Sequence, residues 1–290
     1  MTSVAPRAAG GGRRGPTRVG STTTVSWALP AALLAPMVLF VLGLFVLPFV
    51  MVITTAFTDA ATDSWSLTNF QEFFSRSVGW TALRNTLIIG VGTTVVAAAV
   101  AVPYAYGMVR HPRWRAIFIA VLFAPLLING VVRVFGYQLL ARFVDRVWPW
   151  GDLPLLYSLT GVVISLVVFM LPQMTVAVFA SLDRMDRRLV DAAQTLGAGN
   201  WQVFRTVVLP AARPGIVAGS IITFGASAGS YLAPAMVGGG RVPAMPTLIY
   251  GSVSGAGSWN FGAAVAVVLM AIVLPLMILS LVQSARRSAP

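Results

Sequence analysis

Residues 189–216 read LVDAAQTLGAGNWQVFRTVVLPAARPGI, and this stretch joins two long apolar runs at 156–182 and 215–237. The connection between those runs, residues 183–214, is called the connecting segment here. At about 30 residues it is long for a connector between two helices. Its spacing predicts a helix from Asp186 to Leu196, ended by Gly197. Glycine commonly ends helices because it adopts the left-handed backbone conformation at little cost.

A second amphipathic helix is predicted from Trp201 to Leu209, with Pro210 and Pro214 ending it. The first helix carries polar residues on one side. Its other side is apolar at helical spacing and consists of Leu189, Ala192, Ala193 and Leu196. Two short helices parallel to a membrane, with small residues facing outward, are typical of a docking surface.

The rest of the chain has the composition of a membrane protein. Apolar residues make up 57% of it and charged residues 10%, against about 25% charged in soluble proteins. Six apolar runs each reach the length of about 20 residues that a spanning helix needs. They are Trp27–Phe57, Asn85–Val109, Ile117–Leu140, Leu156–Leu182, Gly215–Val237 and Phe261–Val282. We therefore expect an all-α fold with six membrane-spanning helices.

Missing residue types exclude several kinds of chemistry. The 20 basic residues are all arginine, so the chain has no lysine for a Walker A nucleotide site or a Schiff base. It has no cysteine, and His111 is its one histidine, which leaves little for a metal site or a catalytic triad. We therefore expect no catalytic residues, metal or cofactor. We also expect no nucleic-acid partner, because the arginines lie mostly between apolar runs.

The arginines also predict the orientation in the membrane. With the N-terminus in the cytoplasm, fourteen arginines fall on the cytoplasmic side and five outside, as the positive-inside rule favours. Both termini are then cytoplasmic. Residues 1–26 are expected to be a disordered cytoplasmic tail, residues 27–285 the six-span domain, and residues 286–290 the cytoplasmic C-terminus.

The connecting segment resembles the EAA loop of permease subunits of binding-protein-dependent ABC importers. The residues that match that pattern are Asp191, Ala192, Ala193, Gly197, Phe204, Leu209 and Pro210. The remaining likeness is strongest to the spermidine/putrescine type, through the stretches Pro103-Tyr104-Ala105-Tyr106 and Val132-Arg133-Val134-Phe135 after Pro125, and through Tyr231, Pro234, Val237, Gly238 and Gly239. The likeness covers about residues 27–285.

The resemblance implies a type I importer fold and a set of partners in a cell (plasma or inner) membrane. A separate cytoplasmic ATPase dimer would grip the EAA-like loop, and its closure would drive alternating access. A second permease subunit, expected to be a different chain, would complete the pathway, and an extracytoplasmic solute-binding protein would deliver the solute. The matching residues of the loop would couple to the ATPase.

Two positions depart from the family pattern. Asp191 replaces the usual glutamate, and a carboxylate of nearly equal reach preserves a docking role. Ser230 stands where the polyamine-type subunits usually carry an acid, which weakens the case for a cationic solute. Polyamine is the first expectation for the solute, and other small polar solutes are the alternative.

Polar residues near the outer halves of spans three and five are candidates for contact with a passing solute. They are Asn129, Arg133, Tyr137, Gln138, Ser227, Ser230 and Tyr231. The alternative for most of them is hydrogen bonding between helices. For Arg133 the alternative is that its side chain extends to the outer membrane interface.

Two other classes of membrane protein compete with an importer subunit. A stand-alone secondary transporter or channel would need an internal repeat or buried acids for proton coupling, and the sequence offers neither. An intramembrane enzyme would need a Ser–His pair or paired aspartates within the apolar runs, and these are absent too.

Overall fold

The computed structural model describes residues 28–60, 62–147, 155–186, 188–255 and 258–288. Across these residues the secondary structure is helical, apart from an isolated bridge between Thr58 and Trp65. Within this described part of the chain, five helices are long and apolar enough to cross a membrane, or six if one sharply bent pair counts as a single span. The expected all-α fold is confirmed. The predicted tail at 1–26 lies outside the described residues.

The helices follow one another in the order of the apolar runs. They are α1 (Ala28–Ala56), α2 (Thr68–Ser75), α3 (Ser77–Arg110), α4 (Arg115–Phe123), α5 (Gly130–Val147), α6 (Leu159–Leu182), α7 (Arg188–Thr195), α8 (Asn200–Val203), α9 (Leu209–Ala228), α10 (Leu232–Met236), α11 (Met245–Ser254) and α12 (Trp259–Ser288). The chain divides into two compact units, Met1–Pro48 and Phe49–Pro290. All that follows concerns the second unit.

The core of the second unit lies between α3, α6 and α9. Small residues on one face of α3, Ala97, Ala101 and Ala105, pack with Val178 of α6 and Ala212 of α9, and all five are fully buried. Small side chains let helix backbones approach closely, which is how membrane helices associate without a hydrophobic driving force between them. A second cluster joins α2, α3, α11 and α12 around Phe73, Ala82, Met245, Phe261 and Val265.

The third span is broken, whereas the sequence predicted one continuous span from Ile117 to Leu140. The helical stretch Pro112–Leu127 and helix α5 meet at an angle of 104°. Ile128 between them adopts an extended conformation, and Pro125 lies within the last helical turn before it. The break is therefore at the turn that follows this proline.

The fifth span begins earlier than predicted. Helix α8, a π-helical turn at Phe204–Val208 and helix α9 form one continuous helix from Asn200 to Ala228. The expectations that Pro210 and Pro214 end a separate short helix, and that the span runs from Gly215 to Val237, are wrong. Pro210 lies in the first turn of α9, directly after the π-helical turn. Pro210 has no backbone N–H to donate within the helix. The wider π-helical turn shifts the hydrogen-bond register at this point, so the helix continues past the proline.

Candidate functional site

Helix α7 is a single short helix with well-defined ends. The Asp186 carboxylate Oδ1 accepts a hydrogen bond of 2.9 Å from the backbone N–H of Arg188, so Asp186 precedes the helix and was wrongly placed inside it. At the other end Gly197 has a φ of +85°, which confirms the predicted left-handed turn. The N–H groups of Gly197 and Ala198 donate to the carbonyls of Gln194 and Ala193, at 2.9 and 3.0 Å.

The connecting segment presents an apolar surface that nothing in the chain covers among the described residues. Leu189 is 55% exposed, Leu196 88% and Trp201 72%, and Ala192 and Asp191 are exposed beside them. We call Leu189, Ala192, Leu196 and Trp201 the exposed apolar face. Ala193 is half-buried and belongs to the edge of that face. An exposed apolar cluster on a segment outside the predicted spans is a candidate interaction surface.

The opposite side of the segment packs onto the bundle. Phe204 lies edge-on to Tyr106 of α3, with 6.2 Å between ring centroids, and Trp201 stacks on Phe204 at 5.7 Å. Leu209 packs against the core, whereas Pro210 is exposed. A cavity of about 240 Å³ separates α7 from the end of α3 and is lined by Tyr106, Val109, Arg110, Met185, Val190, Asp191 and Gln194.

An ion pair that sequence reasoning missed lies just before α7. The Arg115 guanidinium is 3.6 Å from the Asp183 carboxylate and 4.5 Å from the centroid of the Phe179 ring. The pair links the start of α4 to the end of α6. The positive-inside rule predicts both residues on the same side of the membrane. It does not specify which residues of two separate loops form an ion pair.

At the break in the third span, two predicted pathway residues satisfy the local backbone. The Asn129 Oδ1 accepts from the N–H of Val131 at 2.9 Å. The Arg133 Nη2 donates to the carbonyl of Ile128 at 3.0 Å, and its guanidinium lies over the ring of Phe169. The Nε of Arg133 is buried and has no hydrogen-bond partner in the described part of the chain.

Three more of the predicted pathway residues bond to backbone carbonyls. Tyr137 donates to Leu155 at 3.4 Å and Gln138 Nε2 to Met236 at 2.6 Å. Ser227 is buried and donates to Thr223 within its own helix at 2.6 Å. The bond of Gln138 to α10 matches the alternative interpretation, hydrogen bonding between helices, whereas Ser227 bonds within its own helix.

Ser230 and Tyr231 follow the end of α9, where the chain turns toward α10. Ser230 is half-buried, and Tyr231 is 37% exposed. The Tyr231 ring packs against that of Tyr250 of α11, with 4.5 Å between centroids, and Tyr250 is 53% exposed. Sequence reasoning did not single out Tyr250, since nothing local marks it. The two rings form an accessible aromatic pair.

Comparisons with known proteins agree with this architecture. The profile of the family described as "Binding-protein-dependent transport system inner membrane component" matches residues 113–288. The spermidine/putrescine transport system permease protein PotB of Haemophilus influenzae is 27% identical over 202 residues, which are 66% of this chain and 71% of that protein. The molybdenum transport system permease protein ModB of Escherichia coli is 36% identical over 123 residues, 40% of this chain and 53% of that protein.

A solved structure shares the fold. The crystal structure of a bacterial ABC transporter involved in the import of the acidic polysaccharide alginate matches with a TM-score of 0.74 and 16% identity. The match covers 91% of this chain and 97% of that chain. The type I importer fold that the sequence implied is therefore confirmed.

Proposed function

The chain belongs to the family of binding-protein-dependent transport system inner membrane components, and from this premise we propose that it forms half of a solute pathway driven by a separate ATPase. It is the permease subunit of an ABC importer and a multi-pass inner-membrane protein. The finer points proposed here are the coupling surface, the membrane orientation, the partners and the solute.

The exposed apolar face carries the proposal for coupling. Leu189 and Ala192 occupy one side of α7, Leu196 follows its last residue, and the other side of the helix lines the cavity that separates it from α3. An ATPase dimer with an apolar groove would bury these side chains, and the exposed Asp191 would supply a charged contact at the rim. The stacking of Trp201 on Phe204 and the edge-on contact of Phe204 with Tyr106 would transmit movement of the connecting segment to α3.

The arginine distribution supports the proposed membrane orientation. Both termini would be cytoplasmic, with the connecting segment on the same side. The Arg115–Asp183 pair supports the placement of the loop before α4 and the connecting segment at one end of the bundle. Both stretches carry arginines that are counted on the cytoplasmic side.

In the proposed arrangement one subunit supplies half of the pathway, so a second permease subunit would complete it, with a different chain favoured over a second copy. An extracytoplasmic binding protein would deliver the solute, and it would set most of the specificity. The solved alginate transporter has also been crystallised with an alginate pentasaccharide-bound periplasmic protein. That precedent supports a delivery protein as the third kind of partner.

A polyamine is the first candidate solute. The support is the likeness to PotB and the accessible pair of Tyr231 and Tyr250, because aromatic faces attract ammonium groups. A small anion is the second candidate. It is favoured by Arg133, by the absence of an acid at Ser230 and by the likeness to ModB. ATP hydrolysis by the assembled transporter, stimulated by spermidine or by molybdate in the presence of the binding protein, separates the two candidates.

The coupling proposal is tested by site-directed cross-linking. The chain has no native cysteine, so Ala192→Cys introduces a unique attachment point for a maleimide photo-cross-linker. In membranes that contain the whole transporter, we expect this variant to capture the ATPase subunit. Thr62→Cys, exposed in the loop after α1, is the control on the proposed outer side. Capture by both variants, or by neither, would contradict the proposal. ATP-independent uptake by the chain alone in liposomes would favour a secondary transporter or channel.

A further inference from the structure

A groove lies beside the turn that joins α3 to α4. Helix α3 ends at Arg110, a 3₁₀ turn covers Pro112–Trp114, and α4 follows directly. The Tyr104 hydroxyl donates to the carbonyl of Phe118 at 2.7 Å, and the two rings meet edge-on at 5.2 Å. This contact forms the floor of a cavity of about 360 Å³.

The walls of the groove are almost wholly apolar and open sideways. Trp114, Ile117 and Val121 are spaced along one face of the turn and α4, and they are 59%, 54% and 62% exposed. In a bilayer, an exposed apolar helix face of this kind is suited to contact with acyl chains. The groove therefore has the shape and chemistry to hold an acyl chain against the helix.

The turn at residues 110–115 borders the groove, because His111 and Trp114 line the cavity, and this turn is called its mouth here. The turn reads RHPRWR, with three arginines and no acid, and Arg113 lies between the two lining residues in the chain. Arg115 is neutralised by Asp183, and Arg110 donates to the Tyr106 hydroxyl at 3.3 Å. Arg113 is exposed, and no ion pair engages it in the described part of the chain.

We propose that this groove is a binding site for an anionic phospholipid. Its phosphate would lie at Arg113 and the indole N–H of Trp114, and one acyl chain would lie along Ile117 and Val121. Basic pockets at the ends of membrane helices bind anionic headgroups, and indole rings favour the membrane interface. The apolar walls below the charged mouth fit a lipid and would not fit a soluble phosphate. The site is separate from the exposed apolar face and from the proposed solute path.

Native mass spectrometry of the full chain, offered equal amounts of phosphatidylglycerol and phosphatidylcholine with the same acyl chains, tests the site. The wild type should retain phosphatidylglycerol preferentially. One interfacial arginine contributes about 1 kcal/mol to anionic lipid binding, so Arg113→Gln should reduce the preference about fivefold. Arg213→Gln, which removes an exposed arginine elsewhere on the proposed cytoplasmic side, should leave the preference unchanged.

A second arm tests the apolar walls. Val121→Trp fills the groove and should reduce retention of both lipids, and Ile117→Trp is the substitute if Val121→Trp elutes as an aggregate in size-exclusion chromatography. Soluble glycerol phosphate should not displace the bound lipid, and displacement would identify a free phosphate site instead. The proposal is overturned if the wild type shows no preference, if both arginine variants lose it equally, or if a folded groove-filling variant retains lipid normally.

Discussion

The guanidinium of Arg133 lies 4.3 Å from the centroid of the Phe169 ring, and this contact joins the broken third span to α6. The same side chain donates to the carbonyl of Ile128, which the break leaves without a helical partner. Arg133 thus satisfies the backbone at the bend and holds the bend against a neighbouring helix. A charged group half-buried within the bundle also fits a role in the pathway, and substitutions separate the two roles.

Arg133→Leu should lower both thermal stability and solute uptake. It removes a cation–π contact of about 0.5–2 kcal/mol and the donor for the Ile128 carbonyl. Arg133→Lys keeps the charge and loses the planar stacking, so it should be intermediate in stability. Thermal unfolding in detergent and uptake in reconstituted vesicles measure both effects. Arg142→Leu, on an exposed position of α5, is the control. If Arg133→Leu loses uptake while its unfolding temperature equals that of Arg142→Leu, Arg133 instead contacts the solute.

Gly197→Ala should destabilise the end of α7 and weaken coupling to the ATPase. A Cβ there meets no atom within 4 Å, so the whole cost is the left-handed φ of +85°, about 1–2 kcal/mol. Gly197→Asn should retain more coupling, because asparagine tolerates this conformation better. Hydrogen exchange of the amides of residues 189–198 and solute-stimulated ATP hydrolysis measure the effect.

Gly199→Ala supplies the matched control for that prediction. Gly199 also has open space around it, but its φ is −68°. Alanine is therefore expected to be neutral there. Equal loss of coupling in the Gly197→Ala and Gly199→Ala variants would mean that backbone conformation at residue 197 is not the cause.

Gly215→Ala should separate α9 from α6. A Cβ at Gly215 would overlap the carbonyl oxygen of Ala177 and lie 2.7 Å from both the Ser181 Oγ and the Val178 Cα. Backbone atoms cannot move aside cheaply, and overpacking of this kind costs about 1–3 kcal/mol. We expect a lower unfolding temperature and reduced assembly with partner subunits. Gly251→Ala, in a helix with no atom within 4 Å of the added Cβ, should change neither.

The helical character of the apolar runs, the left-handed turn at Gly197 and the family of the chain could be predicted from the sequence, since each depends on local pattern or motif spacing. The bounds of the fifth span could not, because the helix continues through Pro210 and Pro214. The bend in the third span could not. Pro103, Pro172 and Pro275 lie inside the unbroken helices α3, α6 and α12, whereas Pro125 precedes a 104° bend. Tertiary contacts such as that of Arg133 with Phe169 accompany the bend, and no local pattern specifies them.

Part of the candidate site could also be predicted from the sequence. The motif identified Asp191 and Ala192, which are exposed, but it also included Phe204 and Leu209, which pack inward. Coupling by these residues stays a prediction. The Arg115–Asp183 pair and the contact of Tyr231 with Tyr250 join residues distant in sequence, and no local pattern specifies such pairs.

Two buried threonines of α3 should respond differently to the same substitution. The Thr86 hydroxyl accepts from the N–H of Met245 at 2.9 Å, at the first residue of α11, and donates to the Ala82 carbonyl at 2.7 Å. Thr86→Val leaves that buried N–H without its acceptor, at a cost of about 1–3 kcal/mol. The Thr93 hydroxyl is buried and has no partner among the described residues. Thr93→Val removes an unsatisfied group and should be neutral or stabilising.

Thermal unfolding of the two valine variants, side by side in one detergent, measures the contrast. Both changes are nearly isosteric, and both threonines are at most 1% exposed, so packing and helix propensity are matched. A lower unfolding temperature for Thr86→Val alone would assign the difference to the hydrogen bond that fixes the start of α11 on α3. Equal losses in both variants would mean that a hydroxyl in this helix stabilises the bundle whether or not it bonds across to α11.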